Sequence, residues 1–252
     1  MHLHRLFSTG SEQYAAARPH YPPALFEYLS SVSNDREIAW DCGTGSGQAA
    51  AGLAERFRFV EATDVSPEQI SNAPKHERVR YSVQAAESTS FADRYFSLVA
   101  VAQALHWFDH GKFWPEVHRV LKLGGIFAAW TYTWPHISKE VDPIITAKLL
   151  NVIENYWAPQ NRLAWDGYAN IDFPFQELVP PKVTLALNWN VDELLSYLGT
   201  WSATRRCIED IGPAFFKELS TDLHDAWGFR QQKRIVAMEF YCRVGRHEIS
   251  KA

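Results

Sequence analysis

The run Ile38-Ala39-Trp40-Asp41-Cys42-Gly43-Thr44-Gly45-Ser46-Gly47-Gln48 constrains the fold of this chain more than any other segment. An apolar stretch ends in an acid, passes straight into a turn with glycine at every second position, and continues into an alanine-rich helical pattern over Ser46–Phe57. Glycine takes positive φ freely and, lacking a Cβ, lets a ligand come close to the main chain. A strand joined to a helix by so short a turn belongs to a parallel sheet, in which the helix packs back on the sheet and the next strand returns alongside the first.

From Glu37 to about Trp134 that rhythm repeats. Short apolar runs predict strands at Glu37–Cys42, Arg58–Thr63, Val79–Gln84, Phe96–Ala102 and Gly125–Thr133, with helices at Pro22–Ser33, Ser46–Phe57, Pro67–Ala73 and Lys112–Leu121 between them. Beyond Trp134 the pattern changes. Val141–Tyr156 reads as helical, Asn161–Pro181 as aromatic and rich in turn residues, and Lys182–Asn190 as an alternating strand. Helices at Asp192–Tyr197 and Pro213–Leu219 follow, and then a terminal strand, Arg234–Val244, with Ile235, Ala237, Glu239, Tyr241 and Arg243 on one face.

The charge balance, 25 Lys+Arg against 29 Asp+Glu with a formal net charge of −4, provides no field for holding a polyanion, so nucleic acid is not expected as a partner. The start of the chain, Met1-His2-Leu3-His4-Arg5, carries no apolar core of a secretory signal. The longest apolar stretch, around Ser97–Leu105, is far short of the ~20 residues that span a bilayer, and a soluble, cytoplasmic protein is expected. Cys42, Cys207 and Cys242 have unrelated spacings and read as buried thiols. His106 and His110 lie four apart but lack the acidic partner of a zinc helix, so no metal is expected.

A second acid sharpens the reading of the glycine turn. Asp64 ends the run Phe59-Val60-Glu61-Ala62-Thr63-Asp64, 21 residues after Gly43, at the place where an α/β sheet holds a nucleoside ribose. A dinucleotide fingerprint would need glycine at position 48, where this chain has Gln48. Asp41 adds negative charge beside the turn, which disfavours a pyrophosphate and suits a ligand bearing positive charge. S-adenosylmethionine, with an ammonium and a sulfonium, fits that requirement. A nicotinamide-dependent Rossmann oxidoreductase and an inactive cofactor-binding scaffold are the alternatives.

On these residues the chain resembles the class I S-adenosylmethionine-dependent methyltransferases, whose first motif runs from a strand-ending acid into G-x-G-x-G. More narrowly it is similar to the trans-aconitate methyltransferase-like group. That likeness rests on Phe7 through Tyr14-Ala15-Ala16-Ala17-Arg18-Pro19-His20-Tyr21-Pro22, on Gln103-Ala104-Leu105-His106-Trp107-Phe108, on Arg119-Val120-Leu121-Lys122-Leu123-Gly124-Gly125, and on Tyr197-Leu198-Gly199-Thr200-Trp201-Ser202-Ala203. The resemblance implies a Rossmann-like α/β fold: a seven-stranded methyltransferase sheet with helices on both faces, an N-terminal lid helix and a helical, aromatic cap insertion. It further implies that Gly43, Thr44, Gly45 and Gly47 line the amino-acid end of the cofactor, with Asp41 acting on its ammonium and Asp64 accepting the ribose hydroxyls. Val65 would pack on the adenine, Ala86 and Glu87 would meet its edge, and Gln103 would complete the cofactor site. Arg18 would pair with the methionine carboxylate while Tyr14 faces the reaction centre.

Tyr14 and Arg18 are four apart, on one helical face, and Pro19 follows; residues 8–18 are therefore expected to form a lid. His106 follows the fourth strand and is the residue there suited to act as a base, although a carboxylate acceptor needs none. Trp107, Trp134 and Trp201, with Arg205 or Arg206 nearby, are expected to line the acceptor pocket. The division expected is one methyltransferase domain over 1–252: lid 1–21, cofactor-binding core 37–134, cap insertion 135–181, and C-terminal strands and helices 182–252. The function expected is methyl transfer to a small molecule, at an oxygen and by resemblance that of a carboxylate, with the oligomeric state unspecified.

Overall fold

The computed structural model describes residues 18–248. Five strands, β1 (Ile38–Cys42), β2 (Phe59–Asp64), β3 (Val79–Val83), β4 (Phe96–Ala102) and β5 (Leu121–His136), run parallel in the order β3-β2-β1-β4-β5. Three more follow in the chain, β6 (Gln176–Leu178), β7 (Leu185–Trp189) and β8 (Arg234–Arg246). β8 lies antiparallel against β5, and β6 and β7 both pair with its outer edge. β1 and β4 are the central strands, and their near-continuous apolar sequence is what a strand covered on both faces requires.

Helices α1 (Pro23–Val32) and α2 (Gln48–Ala54) cover one face, placing Leu25, Phe26, Leu29, Ala50 and Leu53 against Val60, Leu98, Ala100 and Ile126. Their close approach depends on Gly52, where an added Cβ would come within 2.2 Å of the Phe26 ring. The short helix α3 (Pro67–Asn72) is capped by Ser66, whose Oγ accepts from the Gln69 N–H. On the other face α4 (His110–Val120) buries Phe113, Trp114, Val117 and Val120 against Trp40, Phe96, Val99 and Phe127.

After β5 the chain forms α5 (Asp142–Ile145), a π-helical segment (Thr146–Leu150), α6 (Asn151–Ile153) and α7 (Asn161–Trp165). After β7 it forms α8 (Val191–Gly199), α9 (Ser202–Ile211) and α10 (Ala214–Trp227). Val141, Ile145, Leu149 and Ile153 share one core with Leu194, Leu198, Cys207, Leu219 and Leu223, so the two sets of helices pack as one layer. That layer also covers Tyr132 on β5 and Met238 on β8.

The Rossmann-like fold is the one expected, with differences of detail. Among the described residues the sheet has eight strands where seven were expected: β8 is 13 residues long, and β7 pairs with its first half while the three-residue β6 pairs with its end. β6 falls in the segment read as turns, and α9 lies where no helix was expected. On β8 the alternation is present, with Val236, Met238 and Val244 buried and Ile235, Glu239 and Tyr241 exposed. Cys42 and Cys207 are buried free thiols, but Cys242 is only half-buried and lies in the stretch of β8 between the residues that pair with β7 and those that pair with β6. Among the described residues no helix is long and apolar enough to cross a membrane. Tyr14 and residues 8–17 of the expected lid lie outside the described residues.

Candidate active site

The strand order reverses between β1 and β4, and such a reversal opens a crevice at the carboxyl ends of the strands. The glycine turn leaves β1 at this point. Gly43, Gly45 and Gly47 have φ of 71°, 54° and 86°, the left-handed region that a side chain disfavours. Space adds to the requirement at two of them: a Cβ on Gly43 would stand 2.7 Å from that of Ala104, and one on Gly47 would stand 2.5 Å from Tyr81 Oη. At Gly45 the nearest atom to such a Cβ is 3.9 Å away, so this glycine faces open space.

Main-chain bonds tie the turn to the end of β2. The N–H groups of Gly43 and Thr44 both donate to the Thr63 carbonyl at 2.9 Å. Gly45 N–H donates to Asp64 Oδ2 and Ser66 N–H to Asp64 Oδ1, each at 2.9 Å. Burial raises the Asp64 pKa, while these backbone donors work in the opposite direction.

Asp41 is 0% exposed and sits behind the turn, where its Oδ2 accepts from Thr44 Oγ1 at 2.6 Å. Its Oδ1 is buried and has no hydrogen-bond partner. Burial pushes its pKa up to about 7, the Thr44 hydroxyl opposes this, and the nearby Asp64 charge adds to it. Asp41 is not itself among the residues lining the cleft; Thr44, whose hydroxyl it holds, is. Gly47 is likewise absent from the cleft lining, because its open side is filled by Tyr81.

The cleft, of about 190 Å³, is lined by Gly43, Thr44, Gly45, Asp64, Val65, Ala86, Glu87, Gln103 and Arg18, all of them anticipated. Val65 remains 45% exposed beside Asp64 and presents an apolar surface suited to a base. Glu87 also accepts the Asp109 N–H at 3.0 Å, which ties the segment after β3 to the start of α4. Gln48, Gln69, Gln84 and Phe108 line the cleft too, and sequence reasoning passed over them. Gln84 ended a predicted strand, and only that position hinted at it.

A second, smaller compartment of about 100 Å³ shares Arg18, Gln103, Trp107 and Tyr132 with the cleft. Gln103 sits on this boundary with φ 56°, rare for a residue with a side chain and of the kind that clusters at functional sites. Its carboxamide is held by Thr131 Oγ1, which donates to Oε1 at 2.9 Å, and it donates from Nε2 to the Tyr132 carbonyl at 3.4 Å. Arg18 donates to Tyr132 Oη at 3.3 Å and lies over the Tyr197 ring, 5.6 Å from its centroid.

His106, Trp107, Trp134, Trp201 and Arg205 line this compartment, as anticipated, together with Trp157, Trp165 and Asn161, which were not. Arg206 points elsewhere and donates to the Tyr156 carbonyl at 2.8 Å. His106 is 5% exposed, and its Nδ1 lies 3.3 Å from the buried Tyr168 Oη. Burial lowers the His106 pKa to about 3, so the imidazole is neutral across the physiological range.

Residues 40–129 match the methyltransferase domain family. A candidate methyltransferase of Dictyostelium discoideum is 30% identical over 200 residues, covering 78% of this chain and 76% of that protein. Methyltransferase cfoB of Aspergillus candidus is 28% identical over 207 residues, 71% of this chain and 64% of that one. The structure of a candidate type II methyltransferase from Anaeromyxobacter dehalogenans superimposes with a TM-score of 0.84 at 38% identity, covering 92% of this chain and 98% of that one. The chain belongs to the class I S-adenosylmethionine-dependent methyltransferases. Its cofactor is S-adenosylmethionine, and these comparisons do not favour a nicotinamide-dependent oxidoreductase. The residues present fit that cofactor: Gly45 opens into the cleft, and the unpaired buried oxygen of Asp41 lies behind a loop suited to a cationic ligand.

Proposed function

We propose that this methyltransferase esterifies a carboxylate oxygen of a small organic acid held in the second compartment, as its likeness to the trans-aconitate methyltransferase-like group implies. The observation that carries the reading is the chemistry of that lining. It includes Arg18 and Arg205 and, among the described residues, no Asp or Glu. Its histidine is kept neutral by burial and is a weak base at a pKa of about 3. A phenol or alcohol acceptor would need a proton removed, whereas a carboxylate is already ionised at pH 7.

The main chain of Gly43–Gly45 and the carboxylate of Asp64 would hold the cofactor, with Val65 against its base and Glu87 at its edge. When bound, S-adenosylmethionine supplies a methyl group on a sulfonium, which departs as a neutral thioether as the new bond to oxygen forms. The work left to the chain is orientation and exclusion of water. Gln103, fixed by Thr131 and Tyr132, forms the wall between the two ligands, and Arg18 reaches both sides. Arg205 supplies a positive charge for the acid, and Trp107, Trp134 and Trp201 cover its apolar body. His106 is a packing and orienting residue of this wall.

A panel of small carboxylic acids and phenols, incubated with methyl-labelled S-adenosylmethionine, tests the proposal. The expected result is labelled product from acids, with His106→Ala reducing their turnover by less than about tenfold. Label confined to phenols, with a loss of about 10²–10⁴-fold in His106→Ala, would overturn it.

A further inference from the structure

Four tryptophans meet in the second compartment. Trp134 packs against Trp157, Trp165 and Trp201 with ring centroids 5.5, 5.2 and 5.4 Å apart, and Trp157 packs against Trp165 and Trp201 at 5.5 and 5.8 Å. Trp134 comes from the end of β5, Trp157 and Trp165 from the cap, and Trp201 from the start of α9, so three separate segments converge on one aromatic wall. Flat faces of this kind favour a planar ring or conjugated chain over a flexible saturated one, because stacking adds to the gain from burial.

Asn161 is a polar side chain set beside that wall, in a lining that also includes Thr133, Thr200 and Ser202. It opens α7, and Asn161, Ala164 and Trp165 lie at i, i+3 and i+4 on the helix face that lines the compartment. Asn161 is 9% exposed, and its Oδ1 is buried with no hydrogen-bond partner. Leaving such a group unmatched is costly, and a site built to hydrogen-bond a substrate rejects analogues that lack the matching group. A hydroxyl is the natural complement, because it can donate to the carboxamide oxygen or accept from its nitrogen.

We infer that the acceptor is a planar, hydroxylated acid, with its conjugated body against the tryptophan wall and a hydroxyl on the Asn161 carboxamide. This rests on the proposed carboxylate reading and adds the substrate class and a specificity-determining residue. The hydroxyl is a recognition group, and the methyl goes to the carboxylate.

Calorimetric titration of the protein saturated with S-adenosylhomocysteine, using 4-hydroxycinnamate, cinnamate and hexanoate, tests it without turnover. The expected order is 4-hydroxycinnamate tighter than cinnamate by about tenfold, with hexanoate weakest. Asn161→Leu should abolish the advantage of the hydroxyl and leave cinnamate within about twofold. The wild-type comparison stands by itself if that variant melts early, and Asn161→Ala provides the second variant. Equal affinity for the two cinnamates, hexanoate binding as tightly as 4-hydroxycinnamate, or a preference that survives in Asn161→Leu would overturn the inference and leave the carboxylate reading in place. If 4-hydroxycinnamate methyl ester, which keeps the ring and hydroxyl, bound as tightly as the free acid, the carboxylate reading would fall and this inference with it.

Discussion

The Gly45 N–H donates to Asp64 Oδ2 at 2.9 Å, so the turn after β1 and the acid ending β2 form one bonded unit at the cleft. Asp64 thereby shapes the turn, and on the proposed reading it also presents negative charge to the ligand. Asp64→Ala should weaken binding of S-adenosylhomocysteine by about 1–3 kcal/mol through lost charge-assisted hydrogen bonds. Calorimetry on the folded variant checks this, and unchanged affinity would remove Asp64 from the site.

Gly47 makes a sharper structural prediction. With φ 86° and Tyr81 Oη 2.5 Å from any added Cβ, Gly47→Ala combines backbone strain with a clash. The expected destabilisation is about 2–4 kcal/mol in urea unfolding, and adding Tyr81→Phe should restore part of it. Gly212→Ala is the contrast. With φ 83° and ψ 172° it lies in a region essentially reserved for glycine, but nothing lies within 4 Å of the added carbon, so only backbone strain of about 1–3 kcal/mol should appear.

Two buried groups give stability a pH dependence of opposite signs. The His106 pKa falls from 6.5 unfolded to about 3 folded. The unfolded chain therefore binds an extra proton between these values, and this group's contribution is lost as pH drops from about 6.5 towards 3. The Asp41 pKa rises from 3.8 to about 7, so its contribution is full below 3.8 and is lost as pH rises through 7. Urea unfolding from pH 4 to 8 should therefore show a shallower acid loss in His106→Phe and a steeper one in Asp41→Asn. Parallel curves for all three proteins would contradict both assignments.

On the proposed reading Asp41 would also link proton and cofactor. S-adenosylmethionine carries an ammonium and a sulfonium and would favour the ionised carboxylate, so its affinity should rise between about pH 6 and 8, by at most about tenfold per unit. Asp41→Asn should flatten the profile. Titration in two buffers of different ionisation enthalpy should show proton release at pH 6.5 in the wild type and none in the variant.

Much of the fold was legible because the central strands announce themselves: β1 and β4 are short apolar runs, and the alternate glycines of the turn have one physical use. The helix α9 was not, because Ser202–Ile211 carries charge on most of its surface and only Ala203, Thr204 and Cys207 mark its buried side. Gln103 and Asp64 were found from their places at strand ends. Asp41 was singled out too, but it lies behind Thr44 and outside the cleft lining, a placement that depends on how the turn folds back on β2. Trp157, Trp165 and Asn161 were missed, since their convergence with Trp134 is a matter of cap packing between segments distant in the chain. The neutrality of His106 could not be read from residue type, because burial by the cap sets it.

The site of methylation tests the account most directly. Product made from methyl-labelled S-adenosylmethionine and a small planar acid should release its label as methanol on mild alkaline treatment, as a methyl ester does. Label that survives alkali, as an ether, amine or carbon-linked methyl group would, contradicts carboxylate methylation.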